Sequence, residues 1–212
     1  INLAGGALLD IGVYALSLMR SFMAETPDQV MSQVRFAPTG TDEQASIILM
    51  NKEQQMAAIT LSMHSKQPKR AMISCEKGYI EIMEYPRVDK AIIVDAASGA
   101  VTPVEAGETK RALEYEMRDM EEAVQSGDVS RMQMPFTRDV MNIMTDLRKN
   151  WCLVYPEESE RRSRSHFDEV PVFRKIFCKC FWIVFSLIRE WLQSHRYLQM
   201  KRSETGSLSL VE

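Results

Sequence analysis

The chain has 212 residues, 45% of them hydrophobic and 26% charged, with a formal net charge of −3. That mix gives a soluble globular protein core enough for one ordinary domain plus an appendage. Its slight acidity makes no case for a nucleic-acid partner, which calls for a basic face or stripe. Cys75, Cys152, Cys178 and Cys180 show no zinc-ligand spacing with histidine, and Cys178-Lys-Cys180 lacks the spacing of a Cys-x-x-Cys redox pair, so no metal is expected and a reducing, cytoplasmic compartment is the default. The chain opens at Ile1 with no initiator Met, basic n-region or signal-like run, and residue 1 reads as a boundary within something longer.

Residues 5 to 24 carry Leu8, Leu9, Ile11, Val13, Leu16, Leu18 and Met19, apolar on most sides, which predicts a helix buried between layers. Thr26-Pro27-Asp28 ends it. Val30, Val34 and Phe36, then 45 to 50, then 56 to 63 are strand-compatible runs separated by turn material at Pro38 to Asp42 and Asn51 to Gln54. A hairpin is expected at 71 to 75 and 79 to 83, where Gly78 supplies a positive φ, and another at 91 to 94 and 101 to 104. About seven short strands with no helix between them predict a mainly antiparallel sheet rather than βαβ units, with one face left for a partner or solvent.

Residues 109 to 126 place Leu113, Met117, Met120 and Val124 at helical spacing among charges, and Gly127 is placed to end this amphipathic helix. A further helix runs from about Phe136 to Asn150, with Val140, Ile143, Met144 and Leu147 on its inner stripe and Pro135 near its start. Trp151 to Pro156 closes the unit. The expected fold is α+β: an open, mostly antiparallel sheet with helices packed on one face, over residues 1–158, followed at 159–212 by a polar linker and a separate C-terminal helical tail. Within that tail the longest uncharged run, Cys180 to Ile188, is half the length of a membrane span. A spanning helix is therefore unfavoured against an amphipathic surface helix or a tail that is not native to the domain, the reading we favour.

Chemistry concentrates at the first helix. Asp10 and Tyr14 stand four residues apart, so on a regular helix a carboxylate and a phenol share nearly one face. Gly12 between them costs roughly 1 kcal/mol relative to Ala in a helix interior and implies a close neighbour. Each has a plainer reading: Asp10 as a first-turn acid favoured by the helix dipole, and Tyr14 as a space-filling residue. To act as an acid or base, Tyr14 needs a cation nearby, and no lysine occurs in the first fifty residues. His64, in Leu-Ser-Met-His-Ser-Lys at a strand end, could bond a polyol or relay a proton; an exposed or hydrogen-bonded strand residue is the plainer reading. No Gly-x-Gly-x-x-Gly, Walker-type or Gly-x-Ser-x-Gly motif is present.

Gly5-Gly-Ala-Leu-Leu-Asp-Ile-Gly-Val-Tyr14, Thr39-Gly-Thr-Asp-Glu43, Lys77-Gly-Tyr-Ile-Glu-Ile82, Ala112-Leu-Glu-Tyr-Glu116 and Trp151-Cys-Leu-Val-Tyr-Pro156 together resemble the Gfo/Idh/MocA oxidoreductases, in the branch of dihydrodiol dehydrogenase and glucose-fructose oxidoreductase, over residues 1 to about 158. The first motif is specific and the later ones are mainly structural. The resemblance implies a C-terminal α+β domain whose parent carries an N-terminal Rossmann domain, absent here, that holds NAD(P). It also implies a homodimer through the sheet face and a sugar, polyol or diol substrate. Asp10 and Tyr14 then bind substrate and move its hydroxyl proton beside a lysine of that Rossmann domain, His64 contributes to substrate binding, and Gly12 lies at the close approach to the cofactor. The expectation is an oxidoreductase half that binds no NAD(P) and is inactive alone. The alternative is a non-catalytic interaction or dimerisation module whose C-terminal helix docks on a partner or membrane surface. Two departures stand out: Cys75 and Cys152 occupy positions where the resembling sequences usually carry small residues, often Gly, so a turn and the approach to the final strand are expected to be perturbed.

Overall fold

The computed structural model describes residues 5–155, Glu158 and the backbone of residues 207–211. A π-helical turn, Leu8–Gly12, runs directly into α1, Val13–Phe22. Seven strands follow with no α-helix between them: β1 (Gln29–Phe36), β2 (Asp42–Met50), β3 (Met56–Ser62), β4 (Arg70–Cys75), β5 (Gly78–Met83), β6 (Lys90–Asp95) and β7 (Val101–Glu105). Then come α2 (Ala112–Ser126), α3 (Met134–Asn150) and, near the end of the chain, β8 (Ser207–Val211).

These strands form one sheet in the order β1-β2-β3-β8-β4-β5-β6-β7. Every neighbouring pair is antiparallel except β3 with β8. The open, mostly antiparallel α+β architecture follows from the period-two patterning of short runs joined by tight turns. Along β2 and β3, Ala45, Ile47, Leu49, Ala57, Ile59 and Leu61 are buried on one face. The pattern continues through Ile73 of β4, Ile80 and Ile82 of β5 and Ile93 of β6.

On that face lies α1, between the sheet and α3, with Ala15, Leu16, Leu18 and Met19 wholly buried. The inner stripe expected for α3, Val140, Ile143, Met144 and Leu147, is buried as well. A partly buried ion pair ties the two helices: Arg20 Nε donates to Asp139 Oδ2 at 2.7 Å. The Arg20 guanidinium stacks on Phe136 at 4.3 Å and also donates to the Met23 carbonyl at 3.0 Å. The end of α3 is fastened to β1 by Trp151, whose indole N–H donates to Ser32 Oγ at 2.9 Å. The opposite face of the sheet is open at Met31 and Ile48, which are cross-strand partners and both exposed.

Two sequence expectations change. α2 forms and ends at Gly127, which takes φ +74° and donates to the Ala123 carbonyl. Yet its apolar stripe is uncovered: Leu113, Met117, Met120 and Val124 are exposed, and the buried positions are Ala112 and Ala123. Helical spacing of apolar residues specifies a stripe but not what covers it. In the tail, residues 207 to 211 are not helical but a strand running between β3 and β4. Their alternation Ser-Leu-Ser-Leu-Val has the period of two that a strand requires, and β3 and β4, which do not pair with each other, offer backbone groups on both sides. The helix expected within 173 to 192 lies outside the described residues. Among the described residues no helix is long and apolar enough to cross a membrane.

The two cysteine departures resolve differently. Cys75 continues the β4–β5 ladder opposite Gly78, so that hairpin is regular. Cys152 takes φ +54°, a left-handed conformation that glycine adopts at lower cost.

Candidate functional site

The helix that carries Asp10 and Tyr14 begins with a turn wider than an α-turn. Leu8–Gly12 is π-helical and passes into α-helix at Val13; π-turns of this kind are rare and occur frequently at functional sites. Asp10 therefore stands on the wide turn and Tyr14 on the first α-turn. Asp10 is exposed, while Tyr14 is half-buried and packs against the core.

The close approach expected at Gly12 is present, and the neighbour is a residue of this chain. A Cβ on Gly12 would lie 2.8 Å from Leu61 Cδ1 and 3.3 Å from Leu8 Cδ1. The glycine lets the π-turn settle onto β3. What Gly12 faces is thus the domain's own sheet.

A second contact holds the same turn. The Leu8 N–H, which at a helix start has no intrahelical acceptor, donates to Asp42 Oδ2 at 2.6 Å. Asp42, the first residue of β2, is only 1% exposed. Gly6 makes room for it, because a Cβ there would fall 1.8 Å from Asp42 Oδ1. Burial pushes the Asp42 carboxyl above the usual carboxylate range, opposed by the hydrogen bond from Leu8 and the charge of Arg148.

Next to Asp42, Glu43 reaches His64. Glu43 Oε1 lies 3.0 Å from His64 Nε2, and Glu43 Oε2 lies 3.6 Å from Arg35 Nε. The Met63 N–H donates to the Glu43 carbonyl at 3.0 Å, fixing the chain as it leaves β3. His64 itself is largely solvent-facing, with 74% of its side chain exposed. The start of β2 and the end of β3 thus bring the turn bearing Asp10 and Gly12 and the loop bearing His64 to one end of the sheet.

Beneath that end lies a polar cluster from the end of α3 and the residues that follow it. The Arg148 guanidinium of α3 stacks on the Tyr155 ring at 4.5 Å and is ion-paired with Glu158. Burial first, and then the charge of Asp42, pushes the Tyr155 phenol up to about 12, with Arg148 acting in the opposite direction. The Tyr155 hydroxyl and Asp42 Oδ1 are buried with no hydrogen-bond partner among the described residues.

The sequence marks Asp10, Gly12, Tyr14 and His64 as candidates, whereas Asp42, Glu43 and Tyr155 fall within motifs that read as structural and Arg148 lies in none of them. Their signal was present: Asp42-Glu43 is an acidic pair opening an apolar strand, and an acid at a strand start next to a wall of buried aliphatics needs a partner. What the sequence could not show is that the partner is a helix start 34 residues earlier.

Residues 2–81 match the GFO/IDH/MocA C-terminal domain. The chain is 25% identical over 168 residues to trans-1,2-dihydrobenzene-1,2-diol dehydrogenase of Danio rerio, covering 75% of this chain and 50% of that enzyme. The Xenopus tropicalis enzyme of the same name is 36% identical over 82 residues, covering 38% of this chain and 25% of that enzyme. The chain therefore spans at most half the length of these relatives. Among solved structures, a 3-ketoreductase from Actinomadura kijaniata, in complex with TDP-benzene and NADP, superposes with a TM-score of 0.57 at 16% identity, covering 69% of this chain and 48% of that one. At that identity the likeness is one of fold.

Proposed function

We propose that this chain, whose residues 2–81 match the GFO/IDH/MocA C-terminal domain, is the substrate-binding half of an NAD(P)-dependent oxidoreductase acting on a hydroxyl of a diol, polyol or sugar. The observation that carries the reading is the anchored π-turn, which presents an exposed carboxylate, Asp10, one turn from the half-buried phenol of Tyr14 at the end of the sheet where His64 also lies. Relatives named as diol dehydrogenases and a fold shared with a 3-ketoreductase bound to NADP support the substrate class and the cofactor.

In this reading Asp10 accepts a hydrogen bond from the substrate and orients it, while Tyr14 gives or takes the hydroxyl proton. His64, steadied by Glu43, reaches a second hydroxyl. NAD(P), held by the other half of such an enzyme, supplies or receives the hydride. The described residues fit the substrate end of that reaction rather than the cofactor. They carry no phosphate-cradling glycine loop, and the space over Gly12 is filled by Leu61 and Leu8. A phenol serves as acid or base where a cation lowers its pKa, and in such an enzyme a lysine of the Rossmann half would act beside Tyr14. In this reading the chain alone is inactive. The open sheet face at Met31 and Ile48 supports a homodimer through that surface.

The test compares the 212-residue chain with the enzyme completed by its Rossmann half, using NAD and NADP against a panel of diols and sugars. The chain alone should turn over none of them. In the completed enzyme Y14F should lower kcat by roughly 10²- to 10⁴-fold, the usual contribution of a positioned acid or base. Wild-type kcat in both D10N and Y14F would remove these residues from the chemistry.

A further inference from the structure

Asp42 is an unusual helix cap. Most N-terminal caps are side chains from the residue just before the helix, and here the residue in that place, Ala7, offers none. The acceptor comes instead from the first residue of β2, buried to 1% exposure, across 34 residues of sequence. Its geometry is prepared from both sides: Gly6 lacks the Cβ that would meet Asp42 Oδ1 at 1.8 Å, and the Ala37–Thr41 turn delivers Asp42 to the start of β2. Burying a carboxylate is costly, and a local serine or asparagine would satisfy the Leu8 N–H at less cost. What the long-range contact adds is registration, since it fixes the start of the π-turn to the sheet two residues before Asp10.

Resting on the oxidoreductase reading above, we propose that Asp42 is a positioning residue: its carboxylate locks the Leu8–Gly12 turn to β2 and so sets the relative placement of Asp10 and Tyr14 at the substrate. Asp42 touches neither substrate nor cofactor in this scheme. It acts through the Leu8 amide, while Gly12 packed on Leu61 holds the other end of the turn. Two fixed points, one polar and one apolar, define the orientation of the turn, and removing one leaves it free to rotate about the other.

The experiment uses D42N, D42A and G6A in the 212-residue chain and in the enzyme completed by its Rossmann half. In the 212-residue chain, amide hydrogen exchange is read at Leu8 and Asp10 against the α3 amides of Ile143, Met144 and Leu147, together with the Tyr14 ring resonances. D42A and G6A should speed exchange at Leu8 about tenfold or more relative to α3, as expected for loss of a buried charge-assisted bond, and should shift the Tyr14 resonances. D42N keeps an acceptor and should restore most of the protection. In the completed enzyme D42A should lower kcat about tenfold with little change in KM, and D42N should recover most of it. Exchange rising equally at Leu8 and α3 would reduce Asp42 to general stability and overturn the proposal. So would altered exchange at Leu8 with unchanged kcat in an enzyme that D10N inactivates. If D10N leaves kcat intact, the oxidoreductase reading fails on its own account, and the proposal, which rests on it, falls with it whatever the exchange data show. Should D42A not fold, G6A tests the same contact from its other side.

Discussion

Replacing Gly12 with alanine sets helix propensity against packing at the turn on which the candidate site depends. Propensity alone favours alanine by about 1 kcal/mol in a helix interior. Against it, the new methyl would lie 2.8 Å from Leu61 Cδ1 and 3.3 Å from Leu8 Cδ1. Both leucines are at 0% exposure, so neither side chain can swing into solvent. Forcing an extra methyl into a filled core costs about 1–3 kcal/mol, and the net expectation for G12A is a loss of up to about 2 kcal/mol. The partner substitution L61A should cost about 2–5 kcal/mol, because it empties a buried site. Combined, the two should partly cancel, the Gly12 methyl occupying space that Leu61 vacates, with a favourable coupling of about 1–2 kcal/mol. Urea denaturation of the four proteins followed by circular dichroism measures this cycle. Additive behaviour within about 0.5 kcal/mol, the limit for sites that do not touch, would refute packing against Leu61 as the reason for the glycine.

Three further outcomes follow from the same geometry. Removing only the acid of the Arg20–Asp139 pair, as D139A, strands a cation whose side chain is 9% exposed and should cost about 3 kcal/mol, whereas R20M/D139L should cost much less; equal losses in urea midpoint for the two would contradict it. Burial holds the folded pKa of the Asp42 carboxyl above its ordinary value of 3.8, so the proton-linked part of its contribution to stability is complete below that value and is lost as pH rises through the folded pKa. Wild type should therefore gain stability relative to D42N as pH is lowered from 7 towards 4, and a difference independent of pH would exclude the raised value. For Tyr155, whose hydroxyl is buried without a hydrogen-bond partner among the described residues, Y155F should be neutral or stabilising by up to about 1 kcal/mol. Tyrosinate absorbance should also show one phenol fewer resisting ionisation as pH rises through 10 to about 12.

Much of the fold is determined by short-range pattern. Alternation along Ala45–Met50 and Met56–Ser62, turn chemistry between them and the Val140–Leu147 stripe each specify an element and its buried face, because side-chain period follows directly from backbone geometry. The candidate pair Asp10 and Tyr14 was legible for the same reason: two polar groups interrupt an apolar helical run. Sequence also located Gly12 as a point of close approach, since a glycine inside a helix needs a neighbour to justify it.

Only the tertiary structure identified that neighbour as Leu61, turned the regular helix start into a π-turn, and placed Asp42 beneath it. Each of these is a contact between segments far apart in the chain, set by how the sheet and helices pack rather than by any local period. The same limit explains α2, where spacing predicted an apolar stripe correctly and said nothing about whether another element covers it, and β8, where a short alternating run found its place only because β3 and β4 leave room between them. Local periodicity decides which elements form and which way they face; the partners that hold the Asp10–Tyr14 turn in place are long-range contacts, and no local pattern encodes them.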